Sequence, residues 1–373
     1  MEPWIREKIK QIKELYPDER LEKSKARWRA IWAGETPPGR YPYLFLPVSM
    51  NYYNDVFAKE TGLTAYLDEF IYRGIIDDDF IPAFFPGCKQ GTIPSMFGAK
   101  EIVVGRDYTN ERILFSAKDI DNLPEPFIHP GTSAFEWLEM QKYYLEECEG
   151  EIPVHVCDMQ GPMDVSGQLW GYENLFLCAY DDEERFHRLL ETASDAFCML
   201  WDAQQKLLGK HFIGTHLYGW DWVPENNGAT LSADSMAMLS GDFFEEYYSG
   251  HLEKLAKRFG GITVHSCGDF NAVVRRLCAI PGVKAVNASQ MTVEQLLDAG
   301  WSSEKPIILQ EDIERAPTVF ALAKEKRLWL NTAFSGLWPL DENDVAIHPS
   351  HWTNEHKNQI KNKAARVNEA ALI

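Results

Sequence analysis

The chain has no apolar run near the roughly 20 residues that a membrane-spanning helix needs. Its opening, Met1-Glu2-Pro3-Trp4-Ile5-Arg6, starts a charged helical pattern without the apolar stretch of a signal peptide. A cytoplasmic protein with no membrane role is the expectation. Positive charge is scarce: 37 Lys and Arg stand against 56 Asp and Glu, a net charge of −19. Such a surface repels phosphate backbones and anionic lipid heads, which excludes nucleic acid as the expected partner and points to a small-molecule substrate. Cys-x-x-Cys is absent, and the seven cysteines, at 88, 148, 157, 178, 198, 267 and 278, are odd in number and irregularly spaced. That excludes a disulfide framework and a closed four-cysteine zinc site, but not an open site with one or two sulfur ligands.

What is present is an alternation of short apolar, β-rich runs with segments of helical periodicity. Eight runs read as strands: Tyr43–Val48, Phe80–Phe85, Ile152–Val156, Phe212–Leu217, Ile262–Val264, Val283–Val286, Pro306–Leu309 and Arg327–Leu330. Nearly continuous hydrophobicity suits parallel strands covered on both faces. The predicted fold is α/β, a (β/α)₈ TIM barrel over residues 41–350. It is preceded by a helical extension (1–40) broken at Pro17 and followed by a C-terminal helix (351–373). Lys100–Ser116, with two apolar triplets around a polar centre, predicts an inserted β-hairpin. An open doubly wound sheet is the rival, but Leu46-Pro47-Val48-Ser49-Met50-Asn51 offers no Gly-rich phosphate turn after the first strand.

Barrel enzymes build their sites at the C-terminal ends of the strands. In this chain those ends carry Asn51, Asp158, Gln160, Tyr218, Trp220, Trp222, Gln310 and Asn331 as expected substrate-binding residues, and Asp221 and Glu311 as expected catalytic carboxylates. His265-Ser266-Cys267-Gly268 follows the fifth run directly. In extended chain residues i and i+2 share a face, so imidazole and thiol both face the barrel mouth, a pair suited to zinc. His155-Val156-Cys157 repeats the spacing deeper in its apolar run and without the glycine, and reads as packing. Asp221 lies in Tyr218-Gly219-Trp220-Asp221-Trp222, whose tryptophans can line an aromatic pocket for a methoxyarene or a quaternary amine.

Together with Phe243-Phe244-Glu245-Glu246-Tyr247, the His265-Ser266-Cys267-Gly268-Asp269 stretch resembles a block of the uroporphyrinogen decarboxylase superfamily, in particular its corrinoid (methylcobamide) methyltransferase branch. Gln160-Gly161-Pro162 with Leu169, Gly171 and Glu173, then Asp181-Asp182-Glu183, resembles a second block, and Pro306-Ile307-Ile308-Leu309-Gln310 the seventh strand. The resemblance spans roughly residues 40–345 through colinear but loose motifs. The decarboxylases' N-terminal arginine block survives only as Gly39-Arg40-Tyr41. The resemblance implies zinc held by His265 and Cys267, with a third cysteine after the eighth strand. This chain has none beyond Cys278; Ser335 stands near that place, and Asp221, Glu225, Glu311 or the substrate itself are the alternatives for the third ligand.

The function so implied is methyl transfer between a small methylated donor, or a thiol acceptor, and a corrinoid carried by a partner protein. The alternatives are a metal-free lyase or decarboxylase of a carboxylated ring, or a ligand-binding member without activity.

Overall fold

The computed structural model describes residues 1–47, 58–87, 89–104, 107–216 and 221–373. The chain begins with two helices, Pro3–Leu15 and Asp18–Ala33, separated at Pro17 as its fixed φ and missing N–H require. Ile5, Ile9 and Ile12 form the buried stripe of the first.

Among the described residues ten strands follow: β1 Tyr43–Phe45, β2 Glu101–Val104, β3 Asp107–Asn110, β4 Val154–His155, β5 Phe212–Ile213, β6 Ala229–Ser232, β7 Ile262–Ser266, β8 Val283–Ala288, β9 Ile307–Asp312 and β10 Leu330–Ser335. Six form one parallel sheet in the order β1-β10-β9-β8-β7-β6, and β4 and β5 form a parallel pair. A single bridge from Gln160 to Ser232 joins the β4 side to β6 of the main sheet, and another, Phe84 to Val154, lies on β4. β2 and β3 make the expected antiparallel hairpin. The fold is thus α/β with a parallel sheet wrapped by helices, and among the described residues no continuous ladder closes it into a barrel.

The edge of β1 shows why. Of its outward backbone groups, Tyr43 C=O accepts from Asp79 N–H at 2.9 Å, and side chains take the others in place of a neighbouring strand. Tyr43 N–H donates to Asp79 Oδ2 and Phe45 N–H to Asp78 Oδ2, while Arg73 Nη1 donates to Phe45 C=O. Arg73 also pairs with Asp78 at 2.6 Å, and both side chains are fully buried. The predicted strand Phe80–Phe85 therefore contributes only a bridge at Phe84. Buried backbone polar groups need partners, and here three charged side chains supply them.

Several predicted strands also shift. β7 runs on to Ser266, β9 to Asp312, and β10 begins at Leu330, where the sequence reading ended it. β6 was not foreseen at all. Residues 172–208 form two helices, Tyr172–Asp181 and Glu183–Leu208, Asp182 capping the second through Arg185 N–H. No described helix is long and apolar enough to cross a membrane.

Candidate functional site: a His–Cys–Asp cluster at the strand ends

The register of the parallel strands sets one polar layer. Ser232 of β6 lies beside His265 of β7, His265 beside Asn287 of β8, Asn287 beside Ile308 of β9, and Ile308 beside Asn331 of β10. Neighbours in register point to the same face, so these side chains share one side of the sheet. Asn287 is locked there because its Nδ2 donates to Ile308 C=O at 3.1 Å, which leaves Oδ1 to accept from His265 Nδ1 at 2.5 Å. The imidazole proton therefore sits on Nδ1, and Nε2 presents a lone pair.

That lone pair faces two further donors. Cys267 Sγ is 3.3 Å from Nε2 and Asp234 Oδ1 is 3.6 Å from it, and the three ligand atoms lie within 4.8 Å of one another. Asp234 follows β6 by two residues and is held by Cys267 N–H, which donates to Oδ1 at 2.7 Å. The chain turns back after the thiol at Gly268, whose φ of +77° is a left-handed conformation that glycine adopts without penalty. Zinc bond lengths of about 2.0–2.3 Å put neighbouring ligand atoms of a tetrahedral site about 3.3–3.6 Å apart. His265 Nε2 meets that spacing with both Cys267 Sγ and Asp234 Oδ1, and the thiol and carboxylate atoms lie within 4.8 Å of each other. Partial desolvation, and after it the Asp234 carboxylate, push the Cys267 thiol up to about 11.

A second polar group backs the cluster. Asp158 accepts from Gln160 Nε2 at 2.6 Å and from Ser232 Oγ at 3.0 Å, and His216 Nε2 stands 3.4 Å from it. Burial pushes His216 down to about 4, so it is neutral at physiological pH. Gln160 and Asp234 also line a cavity of about 290 Å³, with Asn110 and Arg112 at the end of the hairpin insert and Asp164 and Gln168 on the helix Pro162–Trp170. Asp164 accepts from Ser235 N–H and Oγ, each at 2.9 Å. Burial, and then Asp234, push its carboxyl up to about 8.

The sequence-predicted residues distribute unevenly around this centre. His265, Cys267, Asp158 and Gln160 come together, and Asn331 and Gln310 lie on the same face of the sheet. Asn51, Tyr218 and Trp220 lie outside the described residues. Glu311 does not join: strand alternation turns it to the face opposite Gln310, where it pairs with Arg315 at 2.9 Å. Trp222 does not join either. It lines a larger cavity of about 1200 Å³ with Ile152, Ile213, Gly228 and Phe259, residues at or just before the beginnings of strands, and so at the opposite end from His265. The guanidinium of Arg29 stacks 5.4 Å from its ring. His155 and Cys157 are buried packing residues, the His155 ring meeting Thr215 C=O at 2.9 Å.

Asp221 is sealed from both cavities. It is 3% exposed and accepts from Thr215 Oγ1 at 3.1 Å. Burial pushes its carboxyl up to about 8. The folded chain thus keeps a proton that an unfolded aspartate releases near pH 3.9, and stability contributed by this group falls as pH rises from about 4 to about 8. Asp221→Asn is expected to melt close to wild type at pH 4.5 and several degrees higher at pH 8. An equal difference at both values would show that Asp221 is already ionised in the folded chain.

Three features escaped the sequence reading: Asp234, Asn287 as the partner that orients the histidine, and the Ser232–Asp158–His216 group. Ala229-Thr230-Leu231-Ser232 was the available signal, since a strand there places Asp234 just past its end.

The whole fold has a solved counterpart. A methyltransferase from Methanosarcina mazei superposes with a TM-score of 0.64 over 93% of this chain and 98% of its own, at 14% identity. That likeness establishes the fold. No family model matches the sequence, and no curated protein matches it.

Proposed function

We propose that the chain is a methyltransferase that binds zinc through His265, Cys267 and Asp234 and passes a methyl group between a small substrate and a corrinoid carried by a partner protein. On this reading it belongs with the corrinoid methyltransferases of the uroporphyrinogen decarboxylase superfamily. Residues 41–350 then correspond to the family's (β/α)₈ barrel with its ladder interrupted at the outer edge of β1, and 1–40 and 351–373 are helical additions. The observation that carries the proposal is the convergence of three metal-ligating atoms within 4.8 Å at the strand ends. Likeness in fold to a methyltransferase supports the reaction class.

Bound zinc supplies a positive charge that favours the thiolate form of a thiol substrate and polarises a methylated heteroatom. The chain's own residues prepare the place. Asn287 holds the His265 proton on Nδ1, so that Nε2 stays available. Asp234, on the turn after β6, completes the set where the resemblance called for a third cysteine; it replaces Asp221, Glu225 and Glu311 as candidates. Gln160, anchored on Asp158, lines the cavity where the substrate enters.

Protein produced with zinc supplied is expected to contain about one zinc per chain, the stoichiometry of a single three-ligand site. It should also demethylate methylcobalamin in the presence of a thiol, followed by absorbance. Metal-free protein overturns the zinc site. Zinc-loaded protein inert with methylcobalamin and thiols, and with reduced corrinoid protein and methylated donors, overturns methyl transfer.

A further inference from the structure

The cavity beside the cluster has a chemical polarity of its own. Arg112 is its one basic lining residue, and among the described residues it makes no ion pair. Its position is built. Gly171, at φ +98°, lies so close that a Cβ there would come within 2.7 Å of the guanidinium carbon. Asn110, which lines the same cavity, is 6% exposed, and its amide donates to Glu111 C=O and Gln168 C=O, at 3.0 and 3.1 Å. That fixes Asn110 Oδ1 as an acceptor, and neither it nor Gln168 Oε1 receives a hydrogen bond. A buried acceptor left without a donor is costly, and a ligand N–H recovers that cost.

We infer that this cavity selects a substrate bearing an α-amino-acid end. Its carboxylate pairs with Arg112 and its ammonium donates to Asn110 and Gln168, while its far end carries the thiol or methylated atom toward Asp234 and Cys267. The inference rests on the proposed methyl transfer for the role of that far end, but not for the recognition. Planar guanidinium and carboxylate make short, strong bidentate pairs. The volume, about 290 Å³, lies at the lower limit of the roughly 300–1,000 Å³ of drug-sized pockets and suits a molecule of amino-acid size.

The test uses zinc-loaded full-length protein and calorimetric titration. L-norvaline carries both ionic groups without sulfur; pentanoate lacks the amine, and butylamine lacks the carboxylate. Norvaline is expected to bind at least about tenfold more tightly than either truncated analogue, the scale of one lost charge-assisted hydrogen bond. Arg112→Gln, at an exposed side chain, should erase its advantage over butylamine with the melting temperature unchanged. L-homocysteine should bind more tightly still, with that increment absent in Cys267→Ala. Norvaline no better than its analogues, or indifferent to Arg112→Gln, overturns the inference. Norvaline selectivity with no increment for homocysteine leaves the recognition standing and removes the thiol-transfer reading beneath it.

Discussion

Cys267→Ala is expected to lose stoichiometric zinc and more than about 100-fold in methyl transfer, with its melting temperature close to that of the metal-free wild type. The scale follows from what partners one step removed contribute: loss of a residue that merely orients a ligand costs about 10- to 100-fold in metal affinity or activity. Loss of the ligand must exceed that. Asn287→Leu supplies the inner comparison. It leaves all three ligand atoms in place but frees the imidazole to carry its proton on Nε2, so a 10- to 100-fold weaker zinc affinity is expected. Asp234→Asn should resemble Cys267→Ala, because a neutral amide oxygen is a poorer zinc ligand than a carboxylate. Metal content and turnover measured on the three variants together decide the matter. Full zinc occupancy and turnover in Cys267→Ala would remove the cluster from the chemistry.

Asp78→Ala is expected to destabilise the fold by about 3–5 kcal/mol, the cost of breaking a buried ion pair by removing one partner. Arg73 would stay fully buried with its 2.6 Å partner gone, and Phe45 N–H would lose its acceptor at the edge of β1. Asp78→Asn keeps an acceptor while removing the charge, and should fall between the variant and wild type. Urea unfolding followed by circular dichroism gives the difference directly, provided the transitions keep a common slope. A loss below about 1 kcal/mol for Asp78→Ala would mean that solvent reaches Arg73 when its partner is gone.

The strands that were legible in the sequence are those whose burial is continuous: the apolar runs opening β7, β8 and β9 read correctly. Their ends did not, because strands aimed at a site carry polar residues while still in the ladder. Gln310, Glu311 and Asp312 look like a loop and are strand. Parity could have separated them, since Gln310 and Glu311 cannot both face the mouth. β6 was invisible for another reason. Ala-Thr-Leu-Ser is four residues with two hydroxyls, both spent inside: Thr230 Oγ1 meets His216 Nδ1 at 3.0 Å, and Ser232 Oγ donates to Asp158. Missing that strand meant missing Asp234, which left the third ligand to be sought among carboxylates that the fold holds elsewhere.

His265 and Cys267 were legible because their pairing is local, two residues apart on one strand end. Asp221 was misplaced because no residue near it reports where the chain goes next: after β5 the backbone returns to the strand beginnings before β6, carrying Trp222 with it.

The inserted hairpin has a consequence of another kind. Thr109, Asn110 and Arg112 reach the cavity from a segment that pairs with no strand of the main sheet, whereas His265, Asn287 and Asp234 hang on the main sheet itself. On the proposed reading, reactivity rests on the parallel ladder, while recognition is shared between the hairpin end and Gln168 of the helix Pro162–Trp170. On that reading an exchange of residues 109–112 is expected to alter which molecule is admitted without moving the atoms that act on it, so the same chemistry can be re-addressed by editing a peripheral ribbon.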